Sequence, residues 1–296
     1  MNKSITFTTM LLLAITLAGA GCAPTDNGGA DQPDGQSDVF DPDAPPITEG
    51  DWVRPSESTT WQWQLQPDAN GDINTTYDVD LYDIDLFDVS ASLVSQLKAD
   101  GRMVIAYFSA GTFESFRSDA DEFAAAEIGN PLDDFPDERW LDIRSPNVRR
   151  IIQSRLDLAV SKGFDGVEPD NVTGFSNESG FDLSADDQLA FNRFVANEAH
   201  KRGLAVGLKN DLEQIPQLVA YFDFAVNEQC HEFDECETNE PFISAGKPVF
   251  NAEYADVYVN DDGERANLCE SATNTGLHSL VLPIDLDDSF RFSCDP

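Results

Sequence analysis

The sequence predicts an α/β fold, a single (β/α)8 TIM barrel, and three observations carry that prediction. Eight short apolar runs alternate with longer amphipathic stretches between Trp52 and the end of the sequence. Several runs are almost continuously apolar, as expected for parallel strands that are buried on both faces. Polar, aromatic or acidic residues follow every run, which suits the mouth of a barrel. An open doubly wound sheet would show the same alternation, but the sequence has no GxGxxG segment after a strand and no Walker motif, so nucleotide binding lacks support.

The predicted strands are the apolar runs themselves. They cover Trp61–Leu65, Val79–Leu86, Met103–Phe108, Gly166–Glu168, Leu204–Leu208, Phe224–Asn227, Val249–Asn251 and Ser279–Pro283. The predicted helices cover Val89–Asp100, Asn147–Lys162, Ser184–Arg202, Gln214–Tyr221 and Glu264–Thr273. Pro146 and Gly163 are typical of the start and end of the second helix, and Ser184 with Asp187 has the spacing of a capping box.

The beginning of the chain has the features of an export signal. Lys3 precedes an apolar run over residues 5–17, and small residues then lead to Cys22. Because this run is too short to span a bilayer, it predicts a cleaved signal over residues 1–21. Small residues before a cysteine also resemble a bacterial lipoprotein signal, with Cys22 lipidated; an ordinary secretory signal is the alternative. We expect an exported protein, lipid-anchored to a bacterial membrane at Cys22 and facing the periplasm or the cell exterior.

Residues 22–51 predict a disordered acidic linker. Eight acidic residues, no basic ones and many Gly and Pro residues lie between positions 23 and 51. A segment of this composition buries little apolar surface and is expected to stay extended and solvated. The sequence therefore predicts one folded domain over residues 52–296, which we expect to be monomeric.

The charge of the chain excludes some partners. Asp plus Glu number 55 against 18 Lys plus Arg, a formal net charge of −37, and 47 of the acids and 17 of the bases lie from Trp52 onward. Nucleic-acid binding and polybasic contact with a membrane surface both need clustered Lys and Arg, so neither is expected. The acidity leaves two interpretations open: a cationic partner, or an adaptation to solubility or salt.

Four cysteines remain once Cys22 is set aside, and an even number in an exported chain favours disulfides. Of the three possible pairings we favour Cys230–Cys236 with Cys269–Cys294, because each bond then closes the shorter loop. Zinc is the rival, but the sequence contains no CxxC pair, and its three histidines are widely scattered. We therefore expect neither a metal nor a cofactor.

The residues at the strand ends predict the chemistry. In a barrel these ends meet around one mouth, where active sites lie. Carboxylates gathered there are what glycoside hydrolysis needs, since one carboxyl protonates the leaving oxygen and another attacks the anomeric carbon or activates water. Aromatic faces stack on sugar rings, and Asn, Lys and Tyr bind hydroxyl and amino groups.

Five segments in the expected order resemble glycoside hydrolase family 114. They are YDIDLFD at 82–88, AYFSAG at 106–111, DGVEPDN at 165–171, GLKND at 207–211 and VNEQC at 226–230. The resemblance runs from Trp61 to Asp288 and implies an endo-α-1,4-polygalactosaminidase on a (β/α)8 barrel. The implied substrate is a polysaccharide, a cationic amino-sugar polymer that contains α-1,4-linked galactosamine.

The resemblance implies two catalytic carboxylates, which fall on Asp170 and Glu228. By analogy with related α-glycosidase barrels we assign Asp170 as nucleophile and Glu228 as acid/base of a retaining mechanism; an inverting mechanism stays open. Glu168 is the rival of Asp170, because residues two apart on a strand share a side. Alternatively, Glu168 positions Lys209 or binds a sugar amine.

Further residues at the mouth are candidates for substrate binding. They are Asp85, Tyr107, Glu168, Lys209, Glu253 and Asp287, together with Trp61, whose ring would stack on a sugar or belong to the core. Two other functions fit the same motifs: a carbohydrate-binding lipoprotein without turnover, and a glycosidase of this fold that acts on another α-linked glycan. Loops around the mouth decide specificity, so motifs at the catalytic floor do not separate these substrates.

Overall fold

The computed structural model describes residues 40–133 and 135–295. The predicted signal peptide, Cys22 and the first part of the predicted linker lie outside these described residues. The strands are β1 (Trp61–Gln64), β2 (Leu81–Asp85), β3 (Met103–Ser109), β4 (Thr112–Glu114), β5 (Ile128–Pro131), β6 (Glu138–Leu141), β7 (Gly166–Asp170), β8 (Ala205–Lys209), β9 (Phe224–Glu228), β10 (Val249–Glu253), β11 (Leu277–Val281) and β12 (Phe292–Ser293). The α-helices are α1 (Ala91–Ala99), α2 (Pro146–Lys162), α3 (Ala185–Lys201), α4 (Ile215–Leu218), α5 (Glu240–Ser244), α6 (Asp256–Asn260) and α7 (Asp262–Thr275).

Eight parallel strands follow one another around a curled sheet in chain order, which confirms the predicted barrel fold. Strand β12 adds an antiparallel edge next to β11. Side chains bridge the seam back to β1: Trp61 Nε1 donates to the carbonyl of His278 at 2.9 Å, and Arg291 donates to the carbonyl of Trp61 at 3.0 Å. All eight parallel strands therefore end at one rim.

The barrel departs from a regular (β/α)8 pattern in its connections. A three-stranded antiparallel sheet, in the order β4-β6-β5, lies between β3 and α2 and was not predicted, because its strands are short and lack an apolar run. Helices α5 and α6 were also missed, and each has only five residues. Within the described residues no helix connects β1 to β2.

The long helices begin and end where the sequence indicates. Ser145 Oγ accepts from the first amides of α2, and Gly163 ends that helix with φ of 88° in the left-handed region. Ser184 and Asp187 form the predicted capping box at the start of α3. None of the helices that the structure describes is long and apolar enough to cross a membrane.

The interior of the barrel holds large aromatic side chains, and this corrects the prediction for Trp61. Trp61 is fully buried, stacks on Trp63 with ring centroids 5.9 Å apart and contacts Phe250 at 5.1 Å. A ring with no exposed face cannot stack on a sugar. Trp61 is thus part of the core, the alternative that its place on the first strand left open.

Residues 40–51 belong to the folded domain, and the linker predicted to end at residue 51 is corrected accordingly. Asn197 on α3 accepts from the amide of Ile47 at 2.9 Å and donates to the carbonyl of Pro45 at 3.0 Å. Tyr221 donates to the carbonyl of Ala44 at 2.8 Å. Backbone groups of this segment thus form hydrogen bonds with side chains that lie far along the chain. Amino-acid composition alone does not reveal such contacts.

Both predicted disulfides are present, Cys230–Cys236 and Cys269–Cys294. They span 6 and 25 residues, and the longer loop gains more because a cross-link restricts the unfolded chain in proportion to the logarithm of loop length. We expect Cys269→Ala/Cys294→Ala to lower the free energy of unfolding by about 3 kcal/mol and Cys230→Ala/Cys236→Ala by about 2 kcal/mol. Urea unfolding of the two variants measures both losses, and the reverse order would contradict the loop-length argument.

Candidate active site

Three charged side chains converge at the rim of the barrel from the ends of adjacent strands. Asp170 ends β7, Lys209 ends β8 and Glu228 ends β9. Lys209 Nζ lies 3.0 Å from Asp170 Oδ1 and 2.9 Å from Glu228 Oε2. These two carboxylate oxygens are therefore at most 5.9 Å apart, the sum of the two distances. The predicted strands stopped one or two residues short of this point, and the structure extends them to the charged residues.

Tyrosine hydroxyls fix the orientation of both carboxylates. Tyr107 on β3 donates to Asp170 Oδ2 at 3.0 Å, and the hydroxyl of Tyr254 donates to Glu228 Oε1. Both tyrosines have raised pKa values, because burial and the nearby carboxylates disfavour the phenolate. Both hydroxyls therefore stay protonated, and can donate hydrogen bonds, at neutral pH.

A residue in the left-handed region follows each of the three charged side chains. Asn171 has φ of 60°, Asn210 has φ of 48° and Gln229 has φ of 59°. The turns aim the preceding side chains into the mouth, and Asn tolerates this conformation better than most residues. Asn210 Oδ1 also accepts from the amide of Glu228 at 3.0 Å, which ties the ends of β8 and β9 together.

Lys209, which was predicted to bind substrate, is a buried cation that joins the two carboxylates. It is 3% exposed, and its ammonium lies 5.1 Å from the centre of the Trp63 ring. Burial alone would lower the pKa of Lys209, but Asp170, Glu228 and Glu168 together raise it above the ordinary value. Lys209 is therefore charged at neutral pH.

Glu168, which was predicted to bind substrate, lies deeper in the barrel than Asp170. It is fully buried, and its Oε1 is 3.9 Å from Lys209 Nζ. Burial and then the charge of Asp83, another inward residue on β2, raise the pKa of Glu168. Burial likewise raises the pKa of Asp83 to about 8. Of the two carboxylates on β7, Asp170 is therefore the one that faces the mouth of the barrel.

Asp85 and Glu253, two more of the residues predicted to contact substrate, are buried. Asp85 is 2% exposed, accepts from the amides of Phe87 and Asp88, and pairs with Arg117 at 2.7 Å. Glu253 is fully buried and accepts from the amide of His231 at 2.9 Å. Asp85 is thus held by Arg117 and two backbone amides at the end of β2, whereas Glu253 Oε2 has no hydrogen-bond partner among the described residues.

Asp287 lies at the edge of the site. It is half-buried and lines a cavity of about 290 Å³ between the loops that follow β1 and β11. Its Oδ1 accepts from the amide of Ser289 at 3.0 Å. Its neighbour Asp288 accepts from the hydroxyl of Tyr77 at 2.7 Å and so joins the two loops.

Tyr254 and Glu138 are not among the residues predicted from the sequence. Tyr254 stands directly after the Asn-Ala-Glu end of β10, so its position at a strand end was the available signal. Glu138 lies on β6 in the unpredicted sheet and accepts from the hydroxyl of Thr112 at 2.8 Å. Burial raises the pKa of Glu138, and the charge of Asp170 raises it further.

Asp211, two residues beyond Lys209, gives a test of the electrostatics around the site. It is 3% exposed, accepts from Asn192 at 2.8 Å, and burial raises its pKa to about 8 from an unfolded value of 3.8. Between these two values the folded state holds a proton that the unfolded state has released, so wild-type stability falls as pH rises. We expect Asp211→Asn to gain stability relative to wild type by on the order of 1 kcal/mol per pH unit.

Urea unfolding of both proteins between about pH 4 and pH 8 measures this gain, which should level off above about pH 8. A stability difference that stays constant over this window would show that Asp211 is ionised in the folded protein.

The sequence matches the profile of glycoside-hydrolase family GH114 over residues 42–296. The chain belongs to family GH114. Ega3 from Aspergillus fumigatus, solved in complex with galactosamine, is 39% identical with a TM-score of 0.76, and the alignment covers 83% of this chain and 100% of that one. The protein is a glycoside hydrolase, and the carboxylates at its barrel rim lie where the active site of such a barrel is found.

Two further relatives of this GH114 chain are more distant. The glycoside hydrolase domain of PelA from Pseudomonas aeruginosa shares the fold, with a TM-score of 0.61 at 16% identity over 78% of this chain and 96% of that one. An uncharacterized protein of Deinococcus radiodurans is 26% identical over 204 residues, which are 62% of this chain and 66% of that relative's length.

Proposed function

We propose that this GH114 enzyme is an endo-acting hydrolase of α-1,4-linked galactosamine-containing polysaccharide that retains anomeric configuration. The observation that carries the proposal is the pair Asp170 and Glu228, held at the mouth around one buried ammonium. A retaining enzyme needs its carboxyl groups about 5–5.5 Å apart, and an inverting enzyme needs about 6.5–9.5 Å. The upper limit of 5.9 Å on the two bridged oxygens supports retention.

In the proposed first step Asp170 attacks the anomeric carbon while Glu228 gives its proton to the glycosidic oxygen. The carbon–oxygen bond breaks, the shortened chain leaves as an alcohol, and a glycosyl ester forms on Asp170. In the second step Glu228 takes a proton from water, the water oxygen attacks the anomeric carbon, and Asp170 is released as a carboxylate. Tyr107 and Lys209 hold the attacking carboxylate through its two oxygens.

The substrate class is supported by Ega3, which was solved with galactosamine and aligns over its whole length. The acidity of this chain is consistent with this substrate class, since the sequence from Trp52 onward contains 47 acidic and 17 basic residues. An acidic surface attracts a polymer of amino sugars and raises its local concentration.

The test is incubation with purified polygalactosamine and with a panel of neutral polysaccharides, followed by measurement of new reducing ends. We expect cleavage of polygalactosamine into oligosaccharides, with a KM that rises with added salt because salt screens the attraction between enzyme and polymer. Cleavage of neutral glycans alone would overturn the substrate assignment. Binding without cleavage of any polymer would instead indicate a carbohydrate-binding protein.

We also propose that the enzyme is exported and held to a bacterial membrane by a lipid at Cys22. The support is the apolar run over residues 5–17 and the small residues that precede the cysteine. Labelling of cells with a fatty-acid analogue should mark the wild-type protein and leave Cys22→Ser unmarked. A wild-type protein without label would contradict the lipid anchor.

A further inference from the structure

A pair of buried carboxyl groups lies in the barrel beneath the active site and takes no part in the steps above. Asp83 on β2 is 1% exposed, Glu168 on β7 is 0% exposed, and the two side chains are close enough to share a hydrogen bond once one of them is protonated. Within the part of the chain that the structure describes, none of their four carboxylate oxygens accepts a hydrogen bond from another group. Two side chains of this kind are costly to bury, so their retention needs an explanation.

A single shared proton explains how both groups are satisfied. Two ionised carboxylates in a dry interior repel each other, and neither would have a donor. With one proton between them, each group gains a hydrogen-bond partner and the pair carries one negative charge. The raised pKa values of both groups have the same cause, namely burial and, for Glu168, the neighbouring charge of Asp83.

The charge of the pair faces the ammonium of Lys209 from below. Glu168 Oε1 lies 3.9 Å from Lys209 Nζ, while the carboxylates of Asp170 and Glu228 contact the same nitrogen from the mouth. The charge of Glu168 also acts on the hydroxyls of Tyr107 from β3 and of Tyr254 after β10, whose pKa values it helps to raise. The ammonium is thus held between negative charges on two sides.

We propose that Asp83 and Glu168 form a proton-sharing pair that acts as a positioning device and fixes the Lys209 ammonium between Asp170 and Glu228. Without a negative charge beneath it, the ammonium is drawn toward the two mouth carboxylates alone and into the space of the substrate. The shared proton is independent of the proposed function, whereas the kinetic consequence rests on it.

The shared proton is tested on the folded protein without substrate. Infrared difference spectra at neutral pH, wild type minus Asp83→Asn, should contain the carbonyl band of a protonated carboxyl group. The matched control is Asp211→Asn, which removes another buried carboxyl whose pKa is raised to about 8. A band in the control difference without one in the Asp83→Asn difference would overturn the shared proton.

The position of Lys209 is tested by NMR of the lysine ammonium groups, of which the chain has six. We expect a slowly exchanging Lys209 signal, assigned by its loss in Lys209→Met, in wild type and in Asp83→Asn. In Asp83→Asn the introduced amide donates to Glu168 and keeps one charge beneath the lysine. The signal should shift or be lost in Asp83→Asn/Glu168→Gln, and an unchanged signal in this double variant would overturn the positioning role.

Kinetics on polygalactosamine give the effect on the reaction. Because a displacement of about 1 Å in an active site costs on the order of 100-fold in rate, the double variant should lose roughly 10- to 100-fold in kcat with KM unchanged. Asp83→Asn alone should keep a kcat close to wild type. Equal losses in the two variants would contradict a role for the charge. If the wild type cleaves no galactosamine polymer, the proposed function fails and the ammonium signal still decides this inference.

Discussion

Asp170→Asn is expected to abolish turnover of polygalactosamine while leaving the fold intact, because the amide cannot form the glycosyl ester. The side chain is only partly buried, Lys209 can still donate to the amide oxygen, and the hydroxyl of Tyr107 can accept from the amide nitrogen. We expect kcat to fall by at least about 10⁴-fold, because the covalent step itself is lost and a proton-transfer residue alone contributes roughly 10²–10⁴-fold. Reducing-end assays measure the loss, and circular dichroism checks the fold.

Glu228→Gln separates the two roles. It should lower kcat on the polymer by roughly 10²–10⁴-fold, because the leaving oxygen no longer receives a proton. An aryl galactosaminide whose leaving group needs no proton should still release its aryl group in Glu228→Gln in one fast turnover, but not in Asp170→Asn. The opposite pattern would exchange the roles of the two residues, and near wild-type activity in either variant would overturn the assignment.

Lys209→Met is expected to cause the largest loss of stability among substitutions at the site. Removal of the ammonium leaves Asp170, Glu228 and Glu168 close together with no cation among them. Breaking a buried ion pair by removing one partner costs roughly 3–5 kcal/mol, since the remaining charge is uncompensated. Urea unfolding at neutral pH should show this loss, and the same variant should be inactive.

The matched control for Lys209→Met is Lys98→Met. Lys98 is 39% exposed and pairs with Asp165 at 2.7 Å, so its loss should cost no more than about 1 kcal/mol. Addition of Glu168→Gln to Lys209→Met should restore part of the stability, because it removes one of the uncompensated carboxylates. Equal losses for Lys98→Met and Lys209→Met would contradict the account of a charge-bridging lysine.

The sequence predicts the barrel because its strands are buried on both faces and therefore read as apolar runs. The same signal places Asp170, Lys209 and Glu228 near the rim, since each follows such a run. It does not distinguish a strand-end residue that faces substrate from one consumed by a loop. Asp85 ends a strand in the same way, yet both of its oxygens accept from Arg117.

Contacts between residues far apart in the chain explain the other differences. The segment over residues 40–51 is acidic and rich in proline, and its order depends on Asn197 and Tyr221. Tryptophan is a residue type that often stacks on sugar rings, but Trp61 is buried by the closure of the barrel. Tyr254 and Glu138 reach the site through a turn after β10 and through an inserted sheet, which have no periodic signal in the sequence.

The left-handed turns after β7, β8 and β9 limit how the catalytic floor can evolve. A β-branched residue at position 171, 210 or 229 would cost about 1–3 kcal/mol in backbone strain and would also re-aim the charged side chain before it. The effect of such a substitution on the reaction would be indirect, because it changes the turn and not the charged side chain. New specificity is accessible mainly through the surrounding loops, while the turns favour Asn, Asp, Gly and, at position 229, the unbranched Gln.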